Sequence, residues 1–228
     1  MSKTKMMLSF YLSDPAVLVH ILLAVGATWL AISAGGWGML AAFVFGWMSY
    51  VVQEHLVHRY IFHAPAPRKQ VWFNMLYRLH YGHHDQIHNV HLLFTPLWFS
   101  AILGLVNVAV ISQVIPLSYT IVFVYGGGVC SYLLFEWLQL FSHFNTQDRG
   151  SIALWITRRH AQHHFIDYNN WFTVSPGGNL VDSLLGADPA ERSRVEHART
   201  CGLDPNDPRL VAARAHFRAD RTLATAGI

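Results

Sequence analysis

Four stretches of the chain are almost free of charged residues, and together they set the expected fold. They cover residues 15–33, 37–52, 92–116 and 117–141, and the last contains a single charge, at Glu136. A helix needs roughly 17–25 mostly apolar residues to cross the hydrocarbon core of a bilayer. A chain of 228 residues could hardly bury four such helices on all sides within a soluble domain. The pattern therefore predicts an all-α fold with four transmembrane helices.

The segments between and after these stretches predict further helices outside the hydrocarbon core. Residues 71–84 carry apolar side chains that could lie in the headgroup layer, which is typical of an amphipathic interfacial helix. Residues 151–165 predict another helix, and a polar tail rich in Arg and Ala begins after Gly186. We therefore expect a four-span bundle with a cytosolic, histidine-rich helical cap over residues 1–186, followed by a polar tail over residues 187–228.

The composition agrees with a membrane protein. Hydrophobic residues make up 53% of the chain and charged residues 13%, whereas soluble domains carry roughly 25% charged residues. The formal net charge of +3 is modest, so we expect no nucleic-acid partner.

The basic residues indicate how the chain is oriented. None of them lies in the short turns at residues 34–36 and 112–118. With four spans, these turns share one side and every Lys and Arg lies on the other side, which basic residues identify as the cytoplasm. We expect a bacterial inner membrane rather than endoplasmic reticulum, because the chain has no retention signal. The basic residues are Lys3, Lys5, Arg59, Arg68, Lys69, Arg78, Arg149, Arg158, Arg159 and seven arginines from Arg192 to Arg221.

Histidines are concentrated on the same side, in closely spaced sets. The spacing H-x-x-H-H occurs at residues 80–84 and again at residues 160–164. Positions i, i+3 and i+4 share one face of a helix, so each repeat places three imidazoles on one stripe. The candidate metal ligands are His58, His63, His80, His83, His84, His143, His160, His163 and His164, with Gln139 as a tenth position.

A set this large predicts a site for two metal ions. Neutral imidazole is the commonest metal ligand, iron suits it, and all-nitrogen sites also bind zinc. A pair of irons near lipid indicates oxygen activation, because amino acids alone do not supply an oxidant strong enough for an unactivated C–H bond. Two-metal hydrolases usually include carboxylate ligands. Glu54 and Glu136 are expected to accept the second N–H of ligand histidines, or alternatively to pair with nearby arginines.

Several segments match the motifs of one family. Residues 54–63 match E-x-x-x-H-R-[YF]-x-[FL]-H, residues 80–84 match its second histidine box, residues 135–143 resemble [YF]-E-W-x-H-x-x-x-H, residues 159–170 resemble R-x-H-x-x-H-H-x-x-x-x-N, and residues 182–186 resemble the end of W-D-x-L-F-G-T. On these segments the chain resembles the fatty acid hydroxylase superfamily of integral-membrane di-metal enzymes, which includes the sterol desaturases. The first box and the Glu-Trp segment resemble the fatty acid and sphingolipid hydroxylase branch most.

The resemblance implies what the site does and what it needs. It implies two irons, dioxygen and external electrons, used to hydroxylate the acyl chain of a membrane lipid, with zinc able to occupy the site in a purified protein. Asn170 is implied to support the ligands together with the two glutamates. The chain shows no Cys cluster, flavin fingerprint or haem segment, so a separate ferredoxin, rubredoxin or cytochrome is expected to donate electrons. The Arg-rich tail either docks such a donor or anionic headgroups, or is merely solvated.

One residue departs from the family pattern. Gln139 stands where the family has the first histidine of the pair in the fourth span. An amide oxygen is a weaker donor to iron than imidazole, so one metal is expected to be held less tightly or to keep an open position. His88 or His91, in the loop after the second histidine box at residues 80–84, could substitute for it, and a damaged site without activity is the further alternative.

Two other functions fit parts of the pattern. A lipid or sterol desaturase would use the same site and remove a second hydrogen, and the sequence does not separate the two outcomes. A metal transporter or histidine-rich metal store belongs to another class. A transporter should place its ligands near the bilayer midplane, whereas these histidines cluster at and beyond the ends of the spans.

Overall fold

The computed structural model describes residues 3–144, 150–191 and 193–218. Within these ranges every regular element is helical and no strand occurs. Arg149, Arg192 and Arg221, on which part of the expected orientation rests, lie outside the described residues. The helices long and apolar enough to cross a membrane are Pro15–Ala34, Gly36–Phe62, Val90–Ile111 and Leu117–His143. The predicted all-α class with four candidate spans is confirmed.

The helices follow one another with few long connections. In chain order they are α1 (Lys3–Ser13), α2 (Pro15–Ala34), α3 (Gly36–Val57), α4 (Gln70–Leu76), α5 (Gly82–Asp85), α6 (Leu97–Ile111), α7 (Leu117–Ile121), α8 (Val129–His143), α9 (Ser151–Phe165), α10 (Gly178–Leu184) and α11 (Pro208–His216). Three π-helical segments, His58–Phe62, Tyr77–Tyr81 and Val122–Gly128, extend α3, α4 and α7, and 3-10 turns cover Val90–Leu92 and Ala198–Thr200. Segments of π-helix are rare in proteins, and those that occur are often found at functional sites.

The ends of α2 show why the sequence forms a helix there. The Asp14 side chain accepts hydrogen bonds from the backbone N–H groups of Ala16 (2.8 Å) and Val17 (3.2 Å). Pro15 occupies the first helical turn, where its missing N–H costs nothing. Gly35, with φ of 66°, ends the helix in a conformation that glycine adopts without penalty. These signals set a boundary within one residue of the predicted turn.

The chain divides into two compact units, Met1–Gln53 with Thr95–Trp137 and Glu54–Phe94 with Leu138–Ile228. In the first unit, two glycines allow helices to approach closely. A Cβ added to Gly46 would lie 2.0 Å from the carbonyl oxygen of Phe123, and one added to Gly127 would lie 1.8 Å from that of Phe43. Close backbone contact at small residues is a common way for helices to associate in membranes.

The second unit has its own apolar core around α4. Phe73 and Tyr77 are fully buried, and Leu210 and Ala213 of α11 pack into the same cluster. The described part of the predicted polar tail is thus packed against the helices that carry the first H-x-x-H-H repeat. The boundary at residue 187 stays a prediction.

An ion pair also joins this C-terminal tail to the helix that ends the first H-x-x-H-H repeat. Two nitrogens of the Arg214 guanidinium contact the two carboxylate oxygens of Asp85, at 2.8 and 2.7 Å. Asp85 directly follows the first repeat. This arginine therefore stabilises the second unit, in contrast to the expectation that the tail arginines either dock a partner or are merely solvated.

Candidate metal centre

The nine predicted histidines come together within the second unit, in two separate groups. In each group the donor nitrogens all lie within 4.8 Å of one another. Seven of the nine side chains are buried, and His63 and His143 are half-buried. The first histidine group is His58, His63, His80, His84 and His163, and the second histidine group is His83, His143, His160 and His164.

Each H-x-x-H-H repeat contributes to both groups. In residues 80–84 the outer histidines belong to the first group and His83 belongs to the second. In residues 160–164 the assignment is reversed, because His163 alone belongs to the first group. Positions i+3 and i+4 of a helix flank position i on opposite sides, about 100° apart. The pair i and i+4 can therefore serve one centre while i+3 turns to another.

A π-helical turn brings His58 and His63 into the same group. Five residues advance about 1.4 turns in an α-helix, which would separate the two rings. In a π-helix the hydrogen bonds run from i to i+5, so five residues make little more than one turn. The N–H of His63 donates to the carbonyl of His58 at 3.0 Å, closing such a turn.

The contacts among ring nitrogens do not fit hydrogen bonds alone. Nε2 of His80 lies 3.0 Å from Nε2 of His58, 3.1 Å from that of His63 and 2.9 Å from that of His84. A neutral ring nitrogen can make one hydrogen bond as donor or acceptor, so three such contacts at one atom cannot all be hydrogen bonds. The convergence places these nitrogens where they could hold a metal ion.

The spacing also suits metal coordination. In the second group, Nε2 of His164 lies 3.0 Å from Nε2 of both His83 and His160, and His143 lies 3.0 Å from His160. Ligands about 2.1 Å from one ion are about 3.0 Å apart when they meet at right angles and about 3.4 Å apart when tetrahedral. The observed spacing lies within the range expected for nitrogens that could bind one ion together.

Backbone carbonyls fix the orientation of three ligand rings. When Nδ1–H donates to a carbonyl, the lone pair of Nε2 is left free to bind a metal. In the first group this applies to two rings and in the second group to one. The pairs are His58 with Phe172, His163 with Asn170 (2.7 Å) and His143 with Ile87 (3.1 Å).

Burial keeps the histidines neutral. Loss of solvation lowers the pKa of His163 to about 4, although the carbonyl of Asn170 and the charge of Asp167 oppose this shift. Neutral rings are the form that binds metal. Burial, followed by the neighbouring rings, lowers the pKa well below its usual range in His63, His80, His83, His84, His160 and His164.

Gln139 adjoins the second group. Its side chain is buried, and Nε2 lies 3.2 Å from Nε2 of His83. Its amide oxygen is buried with no hydrogen-bond partner among the described residues. A rotation of the Gln139 side-chain amide by 180° would exchange its nitrogen and its oxygen, and the oxygen would then face the ring nitrogens. His88 and His91, the suggested substitutes, are exposed and belong to neither group.

Both glutamates accept hydrogen bonds from backbone N–H groups. Glu54 accepts hydrogen bonds from the backbone N–H groups of Val174 (2.7 Å) and Ser175 (3.3 Å) instead of from a histidine ring. Glu136 lies in the first unit and accepts the N–H of Thr95 at 3.0 Å, and its predicted contact with a ligand stays a prediction. Carbonyls replace Glu54 as ring acceptors because the 170–175 segment runs along the first histidine group.

A buried polar network was not predicted from the sequence. The carboxylate of Asp182 accepts hydrogen bonds from Nδ1 of His55 (2.7 Å), Arg159 (3.0 Å) and the hydroxyl of Thr173 (2.8 Å). Both Asp182 and His55 are fully buried. The network joins the end of α3 to α10 and to α9, which carries three of the ligand histidines. The acidic residue within an apolar closing motif was the signal that could have indicated it.

Comparisons with known proteins relate the chain to hydroxylases. No protein-family model matches it. The chain is 27% identical over 135 residues to a fatty acid 2-hydroxylase of Macaca fascicularis, and 26% identical over 135 residues to the fatty acid 2-hydroxylase of Homo sapiens. Each match covers 58% of this chain and 36% of the relative. The chain thus spans little more than a third of the length of the curated relatives it matches.

A solved structure has a similar fold. It is that of full-length Scs7p, in which only the hydroxylase domain is visible. The TM-score is 0.71, and the alignment covers 79% of this chain and 68% of that chain at 18% sequence identity. This likeness shows a shared fold.

Proposed function

The chain resembles the fatty acid and sphingolipid hydroxylase branch of the fatty acid hydroxylase superfamily, as its motifs predict, and on that premise we propose that it hydroxylates the acyl chain of a membrane lipid. The observation that supports this most is the convergence of nine histidines, seven of them buried, in two adjoining groups. Relatives named fatty acid 2-hydroxylase support the reaction class. A damaged site would not be expected to keep all nine rings together.

We assign one iron to each histidine group. The chemistry that two irons supply in such a site is dioxygen activation: one oxygen atom enters a C–H bond as a hydroxyl, and the other leaves as water with two electrons and two protons. The chain's own residues hold the donor nitrogens neutral, orient them through carbonyls and exclude bulk water. His80, His83, His84, His163 and His164 are each at most 2% exposed.

Gln139 is proposed as the fifth ligand of the second group. The first group offers five imidazoles, whereas the second offers four. The partnerless amide oxygen of Gln139 beside His83 can complete the second set. Because an amide oxygen is a weaker donor than imidazole, the second iron is expected to dissociate first.

The proposed reaction needs an electron donor and access to membrane lipid. Electrons come from a separate ferredoxin, rubredoxin or cytochrome, and the lipid substrate reaches the histidines from the bilayer that the four apolar helices span. We place the termini and the metal centre on the cytoplasmic side of the membrane, because the basic residues all fall on that side in a four-span topology.

A lipid comparison by mass spectrometry tests the function. Cells expressing the chain with an electron-donor system are compared with cells expressing a His83→Ala variant at equal protein level. A lipid that gains one oxygen only with the intact chain supports hydroxylation. A lipid that loses two hydrogens would assign the chain to the desaturases.

Metal analysis completes this test. His216 lies on the surface in α11, so His216→Ala serves as a control that should keep the lipid product and the iron. If the purified chain held no iron and altered no lipid, the proposal would be wrong. Iron without any lipid change, with several donor types supplied, would point to metal storage.

A further inference from the structure

Trp171 has a backbone conformation that is unusual for its residue type. Its φ is 57°, in the left-handed region that tryptophan rarely adopts. Among the described non-glycine residues, only His197 and Cys201 also have positive φ. Such conformations persist where surrounding contacts impose them, and they cluster at functional sites.

Hydrogen bonds from Trp171 to the chain that follows α10 hold it in this conformation. Its backbone N–H donates to the carbonyl of Ala187 at 2.8 Å, and its indole Nε1–H donates to Asp188 at 2.8 Å. Asp188 is itself paired with Arg159 at 3.0 Å. The Trp171 side chain is only 2% exposed, so the indole and the backbone are fixed together.

Thr173 and Val174, which follow Trp171 in the chain, are also held by hydrogen bonds. The backbone N–H and hydroxyl of Thr173 donate to Asp182 at 3.2 and 2.8 Å. The N–H of Val174 donates to Glu54 at 2.7 Å. Both carboxylates are buried. The segment cannot relax around Trp171 without breaking buried hydrogen bonds, each of which is costly to lose.

The residues on either side of Trp171 both serve the first histidine group. The carbonyl of Asn170 accepts the Nδ1–H of His163 at 2.7 Å, and the carbonyl of Phe172 accepts the Nδ1–H of His58. Two of the five rings in that group are therefore oriented by carbonyls that flank one strained residue.

The ring of Phe172 adds packing to the same group. Its centroid lies 5.4 Å from that of His58, 5.7 Å from that of His63 and 5.6 Å from that of His163. Edge-to-face contacts at such distances are favourable for aromatic rings. A change in the backbone at Trp171 would therefore move both a hydrogen-bond acceptor and a packing surface of three rings.

We propose that Trp171 is a positioning residue for the first histidine group, because its left-handed backbone aims the two neighbouring carbonyls at His163 and His58. The indole anchors that conformation through Asp188. Trp171 acts on the ligands through the carbonyls of its neighbours Asn170 and Phe172. The inference rests on the proposed metal centre and assigns it a supporting element that lies outside the histidine motifs.

Two substitutions separate backbone positioning from packing. Trp171→Ala removes the anchor but keeps a residue for which the left-handed conformation is unfavourable. Trp171→Gly removes the anchor and also the penalty, because glycine adopts positive φ freely. If only the bulk of the indole mattered, Gly would be no better than Ala.

The measurement is iron retention by the purified full chain loaded with Fe(II). We expect the wild type and Trp171→Gly to keep two irons per chain, and Trp171→Ala to keep one, from the second histidine group. Release of the other iron to a chelator should be roughly fivefold or more faster in the Ala variant than in the Gly variant. Thermal unfolding recorded on the same samples shows that each variant is folded.

His197 provides the matched control, since its φ is 55° and it lies in neither histidine group. His197→Ala and His197→Gly are expected to differ in thermal stability but to keep equal iron. Equal iron loss in the two Trp171 variants, or none in Trp171→Ala, would overturn this inference while leaving the metal centre intact. A wild type that binds no iron would overturn both.

Discussion

The rings of His84 and His164 are stacked, with centroids 4.0 Å apart and 21° between their planes. His84 belongs to the first histidine group and His164 to the second. The two groups are therefore in direct contact through one pair of ligands. Removal of either ring of this pair is expected to displace the other ring, because close-packed interiors transmit small shifts.

The stacked pair gives a first prediction. His84→Ala removes one ligand of the first group and also the surface on which His164 packs. We expect the variant to keep less than one iron per chain after dialysis, whereas loss at an isolated ligand would affect one iron alone. Metal analysis checks this, with His216→Ala as the control. Retention of one full iron would show that the two groups act independently.

A second prediction concerns Gln139. Gln139→His replaces the weaker amide donor by imidazole, so release of the second iron to a chelator should slow by roughly tenfold or more. Gln139→Leu has similar size but no donor and should speed that release. The measurement is the time course of chelator-bound iron. Identical release in all three proteins would show that residue 139 does not contact the metal.

A third prediction follows from the lowered pKa of the buried histidines. The pKa of His163 falls from 6.5 to about 4 on folding. Between these values the unfolded chain binds more protons than the folded chain, so the free energy of unfolding of the metal-free protein should fall as pH drops from 6.5 towards 4. Above pH 6.5 this group should contribute no pH dependence.

Thermal unfolding of the metal-free protein in detergent checks the sign. The contribution of His163 is the difference in midpoint between the wild type and a His163→Ala variant. This difference should be constant between pH 7 and 8 and should shift against the wild type from about pH 6 to pH 4.5. A difference that shifted in favour of the wild type on acidification would contradict burial of the neutral His163 ring.

A fourth prediction concerns helix packing in the first unit. Gly127→Ala would place a methyl group 1.8 Å from the carbonyl oxygen of Phe43, which requires the backbones to separate. Overpacking of this kind costs about 1–3 kcal/mol or more. Gly26→Ala is the matched control, because a Cβ at Gly26 meets nothing within 4 Å. Unfolding in detergent should show destabilisation only at Gly127.

Much of this protein was determined by local patterns in its sequence. The apolar runs specified four candidate spans because length and hydropathy alone decide whether a helix can cross a bilayer. Asp14 and Gly35 marked the ends of α2 because capping depends on adjacent residues. The two H-x-x-H-H repeats indicated six of the nine members of the two groups, since i, i+3 and i+4 positions lie near one another on a helix, and the family motifs added His58, His63 and His143.

The division of those histidines was decided only by the tertiary structure. The spacing does not say that His83 and His163 turn away from the other members of their repeats. That choice depends on which side of each helix the other repeat occupies, and on a π turn that brings His63 beside His58. Such turns arise from packing and have no clear local signal.

The supporting contacts also depend on long-range packing. Glu54 was predicted to accept a histidine N–H, and in the structure one of its carboxylate oxygens accepts the backbone N–H groups of Val174 and Ser175. The carbonyls beside Trp171 take the role assigned to carboxylates, since every residue has a carbonyl and no side-chain pattern marks those that a fold uses. The sequence alone determined the kind of chemistry, and the fold decided which atoms position it.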